Sequence, residues 1–289
     1  MTSDCTLSND HLSLSVAEMG AEMQYLRTQS GMDLLWDGDP AYWTGRAPVL
    51  FPIVGRAVDD RIAVGEHSAD MAQHGIARRR AFALEEQSKL HCRHVLRADP
   101  ETRAQYPFDF ALYLTHALSN ATLTVTARVE NLSETEMPFG FGFHPAFHWP
   151  LPGAETQPHL VQLQSGSSPT QQPLQSDGLL MPNREDGPFR KGCLGITEPL
   201  FKDGALVFPN GTEALRYGAK DGPGLSFTFH NLPDLALWKP VDAPFLCVEP
   251  WHGTASLVGD GPQIAERPNS VMLAAGEAAE FGYSVTAEI

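Results

Sequence analysis

The chain has 289 residues, a formal net charge of −15, and a high content of turn residues, with 25 glycines and 23 prolines. The acidic balance argues against binding to nucleic acid or to an anionic membrane surface, since both interactions need a basic face. So many turn residues are typical of a chain that forms many short strands rather than a few long helices.

The cysteines and the N-terminal segment indicate a cellular compartment. The four cysteines, Cys5, Cys92, Cys193 and Cys247, are scattered and include no CxxC pair, so we expect reduced thiols rather than disulfides or a zinc ribbon. Met1 to His11 is polar, without the apolar core of a signal peptide, and no stretch approaches the roughly 20 apolar residues of a membrane span. The sequence therefore predicts a cytoplasmic protein.

The first strand pattern with titratable side chains is Leu90 to His94. His91 and His94 alternate there with other residues as in an exposed strand. A metal site at this position would need more ligands than the sequence shows, so none is predicted.

The clearest alternation predicts a hairpin around Ser119-Asn120. Alternating positions flank this small polar turn: Phe110, Leu112, Leu114, His116 and Leu118 before it, and Leu123, Val125, Ala127 and Val129 after it. Two such runs joined by a short polar turn are a strong hairpin signal.

The rest of the chain extends the same pattern. Leu151 to Pro188 is rich in Pro, Gln, Ser and Gly and predicts loops with short strands. Further strands are predicted at Leu225 to Phe229, at Leu235 to Leu237, and at Phe281 to Val285 after a turn at Gly276-Glu277. The expected fold is all-β, a large antiparallel β-sandwich formed by residues 1–289 as one domain.

Four segments combine titratable groups with Gly, Pro and aromatic residues. They are Phe51 to Arg56, Gln73 to Arg78, Gly142 to Phe147, and Cys247 to Gly253. There is no GxSxG elbow, Walker loop or Rossmann glycine pattern in the sequence.

Glu249 follows the apolar run Phe245 to Val248, which predicts a buried strand. A carboxylate in such a place is costly unless it has partners or a chemical role, although a glutamate at a strand end can also point to water. Trp251 could offer an aromatic face to a sugar ring or could simply pack in the core.

His144 lies among aromatic residues, where a histidine can be structural. Its ordinary pKa near 6.5 nevertheless makes it the best candidate for proton transfer at neutral pH. Pro145 argues against a helix, so His144 and His148 do not form a helical metal-binding pair. His74 precedes Gly75, which allows a ligand to approach the backbone closely.

These segments resemble the aldose 1-epimerase (galactose mutarotase) family, most closely its LacX-like branch of shorter bacterial members. The resembling segments occur in the family's order and are Trp36 to Pro40, Ala47 to Arg56, Gln73 to Arg78, Phe143 to Phe147, Trp238 to Pro240 and Ala243 to Trp251. The resemblance implies a galactose mutarotase-like supersandwich with an open cleft for a monosaccharide.

The resemblance also implies roles for individual residues. His144 looks like the family's general acid and Glu249 like its general base, and His74 looks like the histidine that hydrogen-bonds the sugar near the ring oxygen. It implies that Arg56 and Arg78 bind the substrate and that Asp203 matches the family aspartate that holds sugar hydroxyls. Gln73 and Trp251 are further candidates for substrate binding.

The chemistry of anomer exchange suits these residue types. Ring opening of a cyclic hemiacetal needs a base for the anomeric hydroxyl and an acid for the ring oxygen, and it needs no cofactor or metal. We expect His74, His144 and Glu249 to converge on one cleft, with His144 and Glu249 facing each other across a gap wide enough for one sugar ring. Arg56 and Arg78 should border that cleft. A glycosidase would usually need two carboxylates, and only one is convincing here.

Two further functions remain open at this level, a hexose 6-phosphate mutarotase and a non-catalytic sugar-binding protein. Arginine binds phosphate as well as hydroxyl groups, and Arg78 is followed by Arg79 and Arg80. If this segment is extended, Arg78 and Arg80 share a face and Arg79 points away. No lysine accompanies the cluster, which favours a neutral aldohexose.

Overall fold

The computed structural model describes residues 4–289, in which strands account for 46% and helices for 7% of the chain, so the all-β prediction is confirmed. The strands are β1 (Cys5–Ser8), β2 (Leu12–Val16), β3 (Met23–Thr28), β4 (Val49–Leu50), β5 (Arg61–Val64), β6 (His67–Asp70), β7 (Ala83–Gln87), β8 (His91–Arg97), β9 (Phe110–Ser119), β10 (Thr122–Asn131), β11 (Met137–Phe139), β12 (Phe141–Phe143), β13 (Ala146–His148), β14 (His159–Leu163), β15 (Thr170–Gln171), β16 (Glu185–Asp186), β17 (Cys193–Gly195), β18 (Leu206–Phe208), β19 (Leu215–Ala219), β20 (Gly224–His230), β21 (Asp234–Trp238), β22 (Phe245–His252), β23 (Val271–Leu273) and β24 (Ala278–Glu288). The helices are α1 (Pro100–Gln105) and the 3₁₀ segments Val58–Asp60, Ala77–Arg79, Glu198–Phe201 and Ile264–Glu266.

Two large sheets form the sandwich. Within the described residues, the larger has the strand order β17-β14-β19-β20-β24-β10-β9-β8-β7, and the other has the order β18-β21-β22-β12-β4, with β13 also paired to β22. Strands β1 to β3 form a further small sheet. The strand pairs of these sheets are antiparallel, so the predicted antiparallel β-sandwich is confirmed. The main hydrophobic core contains residues from all three sheets, from Cys5 to Val285.

The predicted hairpin is formed by β9 and β10, and the predicted terminal strand joins it as β24. Leu118 pairs with Leu123, and Leu123 pairs with Val285, so the apolar faces of β9, β10 and β24 all lie on the core side of the sheet. The turn consists of Asn120 and Ala121, one position later than the sequence indicated. Asn120 adopts a left-handed φ of 49°, which asparagine tolerates better than most residues.

Strand β22 divides its side chains between the core and the opposite face of the six-stranded sheet. Leu246 and Val248 pack in the main core. Cys247, Glu249 and Trp251 alternate with them and therefore face the other side of the sheet. Glu249 lies inside this strand rather than at its end, and the face that it shares is where the cleft forms.

The segment around His91 is a strand, β8, but the expectation that it is exposed is wrong for one of its faces. His91 is exposed, whereas Cys92 and His94 are buried against the core. The reason is that β1 packs against β8 and β9, a contact that the pattern of β8 alone does not encode. Among residues 4–289, no helix is both long and apolar enough to cross a membrane.

Candidate active site

His144 and Glu249 are brought together by strand register. Strands β12 and β13 both pair with β22, so that Gly142 lies opposite Trp251 and Ala146 lies opposite Cys247. The position midway between these two pairs sets His144 opposite Glu249. Cross-strand neighbours on one face have closely spaced side chains, and His144 Nε2 lies 3.2 Å from Glu249 Oε2.

This pair is buried, with 6% of His144 and 1% of Glu249 exposed. Burial raises the pKa of Glu249 well above its ordinary value, and the positive charge of Arg78 opposes that rise. Burial lowers the pKa of His144 well below its ordinary value, and nearby His74 and Arg78 lower it further. Both shifts disfavour a lone charge, so the two groups together hold one proton between them.

His74 enters the same site through a tight loop in which it and Gly75 both have left-handed backbone, with φ of 66° and 73°. A Cβ at position 75 would lie 2.2 Å from the carbonyl oxygen of Phe51, so this close approach requires glycine. The His74 backbone N–H donates to the Gly55 carbonyl at 2.9 Å. The loop therefore holds the backbone that carries the His74 imidazole in one position.

The tautomer of His74 follows from its hydrogen bond. The Gly55 N–H donates to His74 Nδ1 at 3.1 Å, so Nδ1 is the acceptor and the proton of the neutral ring lies on Nε2. Burial, with Arg78 and Arg79 nearby, lowers the pKa of His74 to about 3, which keeps the ring neutral. Gln73 Nε2 lies 3.3 Å from His74 Nε2, so both side chains offer polar groups at the same place.

Aromatic side chains border the pair. The ring of Trp43 stacks on that of His144 with centroids 4.9 Å apart, and Trp238 meets His144 edge-on at 5.6 Å. His74 also meets His144 edge-on, at 5.5 Å. Trp251 is buried, and its Nε1 finds no hydrogen-bond partner among residues 4–289. These rings cover part of the polar pair and present flat faces of the kind that pack against sugar rings.

The polar pair and the aromatic rings open onto one cavity of about 270 Å³. This volume is close to the small end of ligand sites and suits a monosaccharide better than a longer glycan. The residues that line it are Trp43, Gly55, Gln73, His74, Arg78, His144, Leu174, Gly178, Leu180, Gly204, Ala205, Val207, Trp238, Glu249, Trp251 and Ala255. Six of the eight site residues predicted from the sequence are therefore here: His74, His144, Glu249, Arg78, Gln73 and Trp251.

Two predicted substrate-binding residues do not line the cavity. Arg56 bonds instead to Asp60 at 2.9 Å and to the Asp177 carbonyl at 3.1 Å, and only its aliphatic stem lies against cavity-lining Gly178. These acceptors hold its guanidinium in a neighbouring surface hollow, so Arg56 meets the cleft through its stem alone, and its role in substrate binding stays a prediction. Asp203 is 85% exposed beside Lys202, since the backbone of Gly204 and Ala205 occupies the position nearest the cavity.

The segment that carries the arginines is a 3₁₀ turn over Ala77–Arg79, not an extended strand. Arg78 alone among the three arginines lines the cavity. Arg79 donates to the Gly75 carbonyl at 2.7 Å, and Arg80 donates to Glu101 at 2.5 Å, which holds it outside. The three side chains therefore diverge instead of forming one cationic cluster.

The gap expected between His144 and Glu249 is also absent from the described site, since the two side chains are in contact. The two oxygens that exchange protons in anomer interconversion are bonded to one carbon, so an acid and a base that serve both must themselves be neighbours. A sugar would therefore lie across the pair rather than between its members.

Sequence reasoning missed several contributors. Trp238 lies in one of the recognised segments, whereas no local signal marks Trp43. Cys247 lies two positions before Glu249 on the same face of β22, and its thiol, His144 and the Glu249 carboxyl have ligand-type atoms within 4.8 Å of one another. The direct contact between His144 and Glu249 accounts for this grouping.

Comparison with known proteins gives consistent matches over the whole chain. The family model described as aldose 1-epimerase matches residues 3–286. The plasmid-encoded protein LacX of Lactococcus lactis subsp. lactis is 27% identical over 295 residues, which cover 97% of this chain and 98% of the relative.

Solved structures show the same similarity. A galactose mutarotase related enzyme from Lactobacillus acidophilus has a TM-score of 0.93 at 27% identity, covering 99% of this chain and 98% of its own. A galactose mutarotase-like protein from Lactobacillus casei ATCC 334 has a TM-score of 0.92 at 25% identity, covering 99% and 100%. The supersandwich fold implied by the sequence is thereby confirmed.

Proposed function

The chain belongs to the aldose 1-epimerase family, and from this premise we propose that it interconverts the α and β anomers of a free aldohexose. The observation that carries the proposal is the buried contact of 3.2 Å between His144 and Glu249 at the floor of a monosaccharide-sized cavity. A buried pair that holds one proton has both an acid and a base to offer, which is what hemiacetal opening needs.

In the proposed mechanism, the pair reacts with its shared proton on His144 Nε2. Glu249 then accepts the proton of the anomeric hydroxyl while His144 donates the shared proton to the ring oxygen. The bond between the anomeric carbon and the ring oxygen breaks, and the open-chain aldehyde rotates about its first carbon–carbon bond. Closure on the other face of the carbonyl reverses both proton transfers. The pair gains one proton and loses one in each direction, so its net charge does not change and no buried charge accumulates.

Other cavity residues have supporting roles in this proposal. The positive charge of Arg78 lowers the pKa of Glu249 against the rise caused by burial. It thereby favours the carboxylate form, which is the form that can accept a proton. The Nε2–H of neutral His74 can donate to the sugar near the ring oxygen, and Gln73 and Trp251 supply further polar and aromatic contacts.

A free sugar suits the site better than a sugar phosphate. Recognition of phosphate generally uses several converging cationic donors. Within the described chain, the cavity lining contains one arginine, Arg78, because Arg56, Arg79 and Arg80 are bound to other groups. A glycosidase is disfavoured since Glu249 is the one carboxylate among the lining residues of the described chain.

Polarimetry with freshly dissolved single anomers of several aldohexoses tests the proposal. We expect the wild-type protein to accelerate the approach to anomeric equilibrium well beyond the spontaneous rate, and Glu249→Gln to remove most of that acceleration. A protein that binds a hexose in calorimetry but accelerates none of the hexoses would instead be a non-catalytic sugar-binding protein, and the proposal would fail.

A further inference from the structure

A second group of potential ligands lies away from the cavity, on the core side of the nine-stranded sheet. Cys92 and His94 are two positions apart on β8 and share a face, and His116 on β9 lies directly opposite Cys92. The thiol and one ring nitrogen of each histidine lie within 4.8 Å of one another. Exposed fractions are 0%, 1% and 3% for Cys92, His94 and His116.

Two polar atoms in this group lack partners. His94 Nδ1 and His116 Nδ1 are both buried, and neither has a hydrogen-bond partner in the described part of the chain. A buried imidazole nitrogen without a partner is unfavourable, because it has lost its hydrogen bond to water. Two buried imidazoles with an unpartnered nitrogen, both next to one thiol, point to a common partner that all three groups would bind.

The donor types suit a cation, because imidazole nitrogens and a cysteine sulfur are ligands that zinc binds. The Cys92 thiol would release its proton to solvent on binding a metal, as cysteine ligands do. The thiol of Cys5, from β1, lies beside that of Cys92 but is not part of the group of three.

We propose that Cys92, His94 and His116 bind a zinc ion, with a water molecule in the fourth position. One thiolate and two imidazoles form a donor set that zinc prefers. The ion would link β8 and β9 beneath β1, so its role would be structural. None of the three ligands lines the sugar cavity in the described chain, and the inference does not depend on the proposed function.

Metal analysis of the intact protein tests this site. After incubation with zinc and dialysis against zinc-free buffer, the wild type should retain about one zinc per chain. Cys92→Ser and His116→Gln should each retain less than about a tenth of that amount. His91→Gln is the matched control, because it removes a histidine from the exposed face of the same strand and should retain the metal.

Cys247→Ser distinguishes this site from the grouping of His144, Cys247 and Glu249. Zinc that is lost in Cys247→Ser and kept in Cys92→Ser would overturn the proposal, as would a wild type that retains no zinc.

If Cys92→Ser does not fold, the spectrum of the cobalt-bound protein provides the test. A thiolate-to-cobalt charge-transfer band that persists in the Cys193→Ser, Cys247→Ser double variant supports the site, since only the thiols of Cys5 and Cys92 then remain. Absence of that band in the double variant rejects it.

Discussion

His144, between β12 and β13, lies opposite Glu249 of the neighbouring strand β22, and their Nε2 and Oε2 atoms are 3.2 Å apart. The two side chains are thus neighbours in one sheet rather than opposing walls of a cleft. They hold one proton jointly because burial disfavours a net charge on either. Substitution of either residue is therefore expected to remove both the acid function and the base function of the pair.

The first prediction concerns this pair. Glu249→Gln and His144→Ala should each slow anomer exchange by roughly 10²-fold or more, because each removes one positioned proton transfer. The double variant should be little slower than the single variants, since the two groups act as a unit. Polarimetry measures the rates, and His91→Gln is the control with an unaltered site. Near-wild-type exchange in both single variants would reject the assignment.

The second prediction concerns Trp43, whose ring covers that of His144. Burial lowers the pKa of His144, so Trp43→Ala should admit water and raise that pKa toward its ordinary value. The pair would then bind a second proton at a higher pH than in the wild type. With two protons bound, neither side chain can act as the base. The acidic limb of the kcat/KM profile should move upward in pH. An acidic limb that stays in place or moves downward contradicts this explanation.

The third prediction concerns His74 and the pH dependence of stability. Its pKa falls from 6.5 to about 3 on folding, so the folded state binds fewer protons than the unfolded state in this range. Stability from the neutral ring is complete above about pH 6.5 and is lost as pH falls toward about 3. His74→Gln keeps an acceptor for the Gly55 N–H but cannot titrate.

Urea unfolding at a series of pH values measures this effect. The free energy of unfolding should fall less steeply below about pH 6.5 in His74→Gln than in the wild type, with a difference on the order of a few kcal/mol at the acidic end. The control is His91→Gln, whose ring is exposed and should leave the slope unchanged. Parallel curves for His74→Gln and the wild type would show that His74 titrates normally in the folded protein.

The fourth prediction separates the arginines and the substrate classes. Arg78→Ala should lower kcat/KM for a free hexose by roughly tenfold or more, because it removes a charged donor from the cavity and a positive charge from beside Glu249. Arg79→Ala and Arg80→Ala should have little effect, since both side chains are bound elsewhere. The test is completed by measuring kcat/KM for glucose and for glucose 6-phosphate in the wild type and in each arginine variant. A preference of more than tenfold for the phosphate, lost in Arg78→Ala, would establish a sugar phosphate as the substrate.

The sequence alone determined the fold class and indicated part of the candidate site. Alternation of apolar residues specifies which strands have a buried face, and this was sufficient for the β9–β10 hairpin and for β24. The resemblance in several short segments singled out six residues that do line the cavity, including His74, His144 and Glu249. Those segments can be recognised in the sequence because their glycine, proline and titratable residues occur in short local patterns.

Tertiary structure decided the distances and the directions of side chains. Register between β12, β13 and β22 puts His144 in contact with Glu249, and no local pattern specifies which residues of distant strands lie opposite each other. Arg56 turns away because Asp60 and the Asp177 carbonyl bind its guanidinium, and Asp203 is exposed because Gly204 and Ala205 line the cavity in its place. The burial of His94 likewise depends on β1, which is distant in sequence, because long-range packing decides which face of a strand becomes core.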